Sequence, residues 1–569
     1  MANQQLREAL QAYEAANLDE HGPLRGAAFA ATYRAAQGLP VHGIAPDTEA
    51  LNAEAAAWCE RTLASLAVID ASALEEQERL SLAILRSAVE RRIESTRYYW
   101  HVIPVTPYRS FVFGFRMIFN SLDLENAEHR ANYLAALRDV GAYVRSLQDK
   151  LAGQVQRGIT LPQRALAPII AVHRAAANVE SNPLLPGSEK LAALDETTRT
   201  AFIAAAHDTL RRDVVPAIGE LAEYLAGPYT DAAASGWGQS ALPGGDAYYR
   251  YLVRSNTTLG FSPEEIHERG LAAVGELREA MASVRARLGA QGTAREFHEM
   301  LRHDPRFVPR SPEQIGERLE HFANLANRAL DTYFVRKPSA PFAAKRLSET
   351  LEGGMTFGYY HPGAKAGEEG VYFYNGSKLS ERSLISLASL ALHELVPGHH
   401  YEINVARENP ALPRFRAFQA ISTYIPAYHE GWAEYAADLG KEFGAYEDPY
   451  DLYGRYALDI FISSRLVVDT GMNSLQWSFE RAEEFMRENT LLSDLEINSE
   501  LTRYATDLPA QGLGYKLGSL TFAGLREKAR AKLGSGFDVR AFHDRIVMNG
   551  GMPLTLVEHE IERFIDERS

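Results

Sequence analysis

Ala391-Leu-His-Glu-Leu-Val-Pro-Gly-His-His-Tyr-Glu402 sets a His-Glu dipeptide just ahead of a His-His pair. Tyr428-His-Glu-Gly-Trp-Ala-Glu-Tyr435 supplies further carboxylates about thirty residues after that pair. The apolar run Leu384-Ile-Ser-Leu-Ala-Ser-Leu-Ala-Leu392 leads directly into the first segment, so His393 and Glu394 are expected on a buried helix. A catalytic zinc ion needs three protein ligands of imidazole and carboxylate type and one open position. It also needs a nearby carboxylate to take the proton from the attacking water. Residues of both kinds are present. His393 is expected to bind metal, and Glu394, on the adjacent face, to serve as general base.

The spacing departs from the His-Glu-x-x-His pattern, in which the two histidines stand one helical turn apart. Position i+4 from His393 is Pro397, which cannot bind metal, and the available partners are His399 and His400. On a straight helix His400 returns to the same face but roughly 10 Å further along the axis, at about 1.5 Å per residue. One zinc ion, about 2 Å from each nitrogen, cannot span that distance. Pro397 supplies a break, because its ring clashes with the carbonyl four residues back, that of His393 itself. Gly398 tolerates unusual dihedrals. A bulge at Val396–Gly398 is therefore expected to bring His399 or His400 back towards His393.

These residues resemble a large bacterial family labelled domain of unknown function 885. Gly370-Val-Tyr-Phe-Tyr-Asn375, Arg465-Leu-Val-Val-Asp-Thr-Gly471, Pro509-Ala-Gln-Gly-Leu-Gly-Tyr-Lys-Leu-Gly518 and Gly551-Met-Pro-Leu554 carry the resemblance further, from about residue 245 to about residue 560. Ser262-Pro-Glu-Glu-Ile-His-Glu-Arg-Gly270 belongs to it as well. That family is similar in architecture to the carboxypeptidase Taq family, thimet oligopeptidase and angiotensin-converting enzyme, which are mostly helical zinc peptidases with a deep cleft. The resemblance implies one Zn2+ per chain. It puts His399 in register as the second ligand, with His400 touching substrate or backing the site; Glu430 becomes the third ligand and Glu402 a competing candidate. Glu434, one turn on from Glu430, would hold a ligand imidazole in its tautomer. Tyr515 resembles the tyrosine that supports the oxyanion in thimet oligopeptidase, while a buried helical tyrosine is the plainer alternative. Arg465 and Lys516 could hold a substrate carboxylate, or Arg465 could pair with Asp469. Family members usually carry a histidine where this chain has Asn473.

The 569 residues include 59 basic and 74 acidic ones, a net charge of −15, with no long basic run, so nucleic acid is an unfavourable partner. No window offers eighteen uninterrupted apolar residues, so no membrane partner is expected. The opening Met-Ala-Asn-Gln-Gln-Leu-Arg-Glu lacks a signal-peptide core, which points to the cytoplasm. Cys59 stands alone, excluding an internal disulfide and a thiol-rich metal site.

Helical periodicity dominates the rest. Residues 71–98, 126–156 and 191–225 carry apolar positions at three and four spacing. Ser262-Pro-Glu-Glu is a capping box that opens a helix running to about Leu288. Pro- and Gly-rich breaks fall near 101–110, 181–188, 227–247 and 334–345. The strand signal concentrates in Gly370–Asn375, either an edge strand for extended substrate or part of a small hairpin. The expected fold is mainly α, with an N-terminal helical lobe over 1–240 and a metal-bearing lobe over 241–569 around a deep cleft, and a short sheet beside the site. The expected function is a zinc metallopeptidase acting on short peptides. A metal-dependent hydrolase of a non-peptide amide or ester, and a binding protein with a decayed metal site, are the alternatives.

Overall fold

A computed structural model describes residues 2–25, 34, 39, 41, 43–348, 352, 357–363, 365–418 and 424–569. The chain is mainly helical, with a single small sheet among the described residues. Two compact units divide between Tyr248 and Tyr249, and Ala505–Asp507 belongs with the first.

The first unit is built on the helix Ala127–Val155, capped by the Asn126 side chain on the His129 amide. Tyr133, Leu137, Val140, Val144, Leu147 and Leu151 are all fully buried, three or four residues apart, forming the stripe that a single apolar helix face requires. Against it pack Leu210–Val214 and Val215–Tyr224. The Gly227-Pro228 break expected from the sequence does not end the helix at once. The chain continues as a wide helical turn over Leu225–Tyr229, in which the displaced backbone bonding accommodates a proline.

In the second unit, helix α1 (Pro263–Arg287) begins at the Ser262 capping box and is stopped at Leu288. Helix α2 (Pro312–Tyr333) precedes the sheet of β1 (Phe342–Arg346), β2 (Gly358–His361) and β3 (Gly370–Tyr374). The sheet order is β1-β3-β2, with β1 parallel and β2 antiparallel to β3. The aromatic strand Gly370–Tyr374 is therefore central, not an edge. Its near-continuous burial reflects neighbours on both sides, whereas β1 and β2 are only partly buried.

After the sheet come α3 (Leu387–Glu394), α4 (His399–Arg407), α5 (Pro426–Asp438), α6 (Pro449–Asn473) and α7 (Leu513–Leu533). Helix α3 packs against α2, α5 and α6, so its C-terminal end lies deep in the unit. Helices α5 and α7 approach almost to backbone contact. A β-carbon on Gly431 would come within 2.4 Å of Gly518, and one on Gly518 within 2.0 Å of the Ala427 carbonyl. The glycines around Tyr515 thus set how close α7 lies to the two sequence motifs. No helix among the described residues is long and apolar enough to cross a membrane.

Candidate metal centre

Helix α3 ends at Glu394, and a new helix starts at His399. Between them Leu395 leaves helical geometry (φ −105°, ψ −105°), and the Val396–Pro397 peptide is cis. Gly398 packs so tightly on the chain above that a β-carbon there would sit 1.8 Å from the His393 carbonyl oxygen. The fully buried Trp432, from the second motif, donates its indole N–H to the Pro397 carbonyl at 3.1 Å. The break is thus fixed from inside by a glycine without a side chain and from α5 by an indole.

This break sets the rings of His393 and His399 edge to face, with centroids 4.8 Å apart. Glu430 reaches them from α5: its Oε2 is 3.4 Å from His393 Nε2 and 3.2 Å from His399 Nε2. Donor atoms of His393, His399 and Glu430 lie within 4.8 Å of one another, and all three residues are at most about one-eighth exposed. Two ligands about 2 Å from a tetrahedral ion stand about 3.3 Å apart, so this donor set fits zinc. His400 faces elsewhere. Its Nδ1 meets Tyr360 Oη at 2.9 Å and its Nε2 the Ala340 carbonyl at 3.0 Å, tying α4 to the sheet.

The remaining expected residues surround the triangle. Glu434 Oε1 is 2.8 Å from His393 Nδ1. Glu402 Oε1 stands behind His399, 3.9 Å from its Nδ1, and accepts from His429 at 2.7 Å, outside the donor triangle. Glu394 makes no ion pair among the described residues. Burial raises its pKa, opposed by the His393 and His399 imidazoles. For Glu430 burial acts in the same upward direction, but His399 and His393 outweigh it and hold the carboxyl well below its usual range. Burial would lower the His393 pKa, yet Glu430 and Glu434 raise it to about 9.

Tyr515, in the first turn of α7, lies parallel to the His393 ring with centroids 6.0 Å apart. Arg465 lays its guanidinium over the rings of Phe461 and Tyr515, 4.3 Å and 4.7 Å from their centres. Its guanidinium is bonded to Tyr504 Oη at 2.8 Å and Glu500 Oε2 at 3.2 Å, so its carboxylate partner is Glu500 and not Asp469. Lys516 is bonded to Asp459 at 2.6 Å. Both cations expected for a substrate carboxylate are engaged within the fold. Asn473 is fully buried and donates to Asp469 and to the Tyr504 carbonyl.

Sequence reasoning missed Tyr424. Its hydroxyl donates to Glu430 Oε1 at 3.1 Å and its ring stacks on His429 at 4.7 Å, although 42% of the residue is exposed. The only signal was its position six residues before a carboxylate. Tyr372 of β3 was also missed; it is fully buried, its hydroxyl has no hydrogen-bond partner among the described residues, and it feels the Glu394 charge. His267 and His543 are braces: His267 Nδ1 meets Thr470 Oγ1 at 2.9 Å, and His543 bridges the Tyr435 hydroxyl and the Tyr333 carbonyl.

Residues 33–561 match the family described as bacterial protein of unknown function, DUF885. Among solved structures the chain is similar to a protein of Colwellia psychrerythraea provisionally described as a lipoprotein, with a TM-score of 0.87, 21% identity and all of both chains covered. It is also similar to a protein of Shewanella oneidensis provisionally described as a lipoprotein of unknown function. There the TM-score is 0.75 and the identity 16%, over 98% of this chain and 99% of that one. At such identities the likeness is one of fold. No curated protein matches the chain.

Proposed function

The chain belongs to this bacterial family of unknown function, and on that footing we propose that it is a zinc-dependent metallopeptidase acting on short peptides. The observation that carries the reading is the buried triangle of His393, His399 and Glu430, with Glu394 adjoining it and free of any ion pair among the described residues. Zinc held by those three residues would supply a Lewis acid for the scissile carbonyl and lower the pKa of the attacking water. Glu394 takes the proton from that water and passes it to the leaving amine. Its burial favours this work, because a carboxylate pushed upward is a stronger base. Tyr515 donates its hydroxyl to the oxyanion. Glu434 keeps His393 in the tautomer that leaves Nε2 for the metal.

The two-lobed cleft of the helical zinc peptidases is part of the same proposal. Because β3 is central, an extended substrate would add to the sheet through an outer strand. Lys516 and Arg465, held by Asp459 and Glu500, are not assigned to a substrate carboxylate. For location, the two similar solved structures are provisionally described as lipoproteins, and fractionation of producing cells tests whether this chain is membrane-anchored.

A panel of short peptides, with non-peptide amides and esters alongside, assayed with and without a chelator, tests the function. Peptide hydrolysis that is lost with the chelator and restored by Zn2+ is expected. Chelator-sensitive turnover of amides or esters alone would move the substrate class, and metal binding without turnover would leave a binding protein.

A further inference from the structure

Oε1 of Glu434 is 2.8 Å from His393 Nδ1. The other carboxylate oxygen, Oε2, accepts from Arg455 Nη1 at 2.8 Å. Arg455 comes from α6 and its side chain is 2% exposed. It is held on every side: Nη1 also meets Ser389 Oγ at 3.3 Å, Nε faces Asp438 Oδ1 at 3.4 Å, and Nη2 faces Asp459 Oδ2 at 3.7 Å. Asp459 in turn accepts from Lys516, the residue after Tyr515, at 2.6 Å. One buried guanidinium therefore stands between His393 and the helix that carries Tyr515.

A carboxylate rotates freely about its last torsion unless both oxygens are engaged. The planar guanidinium fork fixes such a plane, which a lysine ammonium, a point charge on a flexible stem, does not. Replacing buried ion pairs by apolar groups is often neutral or stabilising, so burying a cation here is poorly explained by stability alone. We infer that Arg455 is a positioning residue of the metal centre: by clamping Oε2 of Glu434 it aims Oε1 at His393 Nδ1, and so sets how tightly His393 holds zinc. This rests on the metal reading given above.

The experiment measures Zn2+ affinity of the full chain by competition with a chromophoric chelator, together with the visible spectrum of the Co2+-loaded protein. Arg455→Met and Arg455→Lys should each weaken Zn2+ about tenfold, the lower range for a residue supporting a ligand, and should alter the Co2+ bands. In a Glu434→Ala background, the same substitutions should change nothing further. The lysine variant keeps the buried charge and so guards against a Met variant that fails to fold. Wild-type affinity in Arg455→Lys, or an undiminished effect in Glu434→Ala, overturns the inference while leaving the metal reading standing. A wild-type chain that binds no Zn2+ overturns both.

Discussion

Two buried polar clusters sit in the same unit and balance their charge differently. Around Arg465 and Lys516, carboxylates meet permanent cations: Glu500 pairs with Arg465 and Asp459 with Lys516. Around His393 the carboxylates of Glu394, Glu402 and Glu430 pair with no guanidinium or ammonium among the described residues: Glu430 meets His393, His399 and the Tyr424 hydroxyl, Glu402 meets His429, and Arg455 is directed at Glu434. Burying a carboxylate without a compensating charge is expensive. The first cluster is therefore neutralised by the chain itself. In the second, against the effect of burial, Glu430 and Glu434 push the His393 pKa up to about 9, and on the metal reading proposed above a divalent cation would balance the remaining charge.

The largest effect should come from breaking the second cluster at its ligands. His399→Ala should abolish stoichiometric Zn2+ binding, as should His393→Ala and Glu430→Ala, measured by metal analysis after reconstitution. His400→Ala should retain the metal, because that ring is bonded to Tyr360 and Ala340. The reverse pattern for His399 and His400 would mean that the break between α3 and α4 is arranged differently from the one described.

Next in size is Glu394→Gln, which keeps shape and hydrogen bonding but cannot accept a proton. Turnover should drop by roughly 10² or more, while bound Zn2+ stays at the wild-type level. Loss of metal as well would make Glu394 part of the ligand set. Smaller again is the contrast between two tyrosines. Tyr515→Phe should lower kcat about 10²-fold, the scale of one oxyanion donor. Tyr424→Phe, which frees Glu430 Oε1, should weaken Zn2+ about tenfold with a lesser change in kcat. Equal kcat losses would assign both hydroxyls to the reacting carbonyl.

How much of this was legible in the sequence varies with the physics involved. Helix starts were readable because capping is local: Ser262 and Glu265 form their box within four residues. The break after Glu394 was readable because the steric demands of Pro397 act on His393, four residues away. What holds the break was not, since Trp432 reaches Pro397 from thirty-five residues on. The central place of β3 was hidden because strand order depends on pairing partners that composition does not reveal. The partners of Arg465 and Lys516 were hidden for the same reason: Glu500 and Asp459 are assigned by packing between helices. Tyr424 lies in no motif and gains meaning only from Glu430.

The finest test concerns Asp469, a carboxylate that belongs to neither type. It is fully buried and accepts from Tyr249 Oη at 2.6 Å, from the Ala510 amide at 3.1 Å and from Asn473 at 3.2 Å, but it pairs with no cation among the described residues. Burial raises its pKa to about 7, against those hydrogen bonds and the field of Arg465. The folded state thus holds a proton that the unfolded chain releases near pH 4, so this group's contribution to stability is present below about pH 4 and is lost as pH rises through about 7. The full difference is on the order of 4 kcal/mol. Asp469→Asn removes the titration while keeping an acceptor oxygen. Urea midpoints at pH 4.5 and 7.5 should show wild type losing ground to the variant as pH rises. A gap independent of pH would mean that the three donors alone keep Asp469 ionised, placing it with Glu500 as a carboxylate the fold has already neutralised.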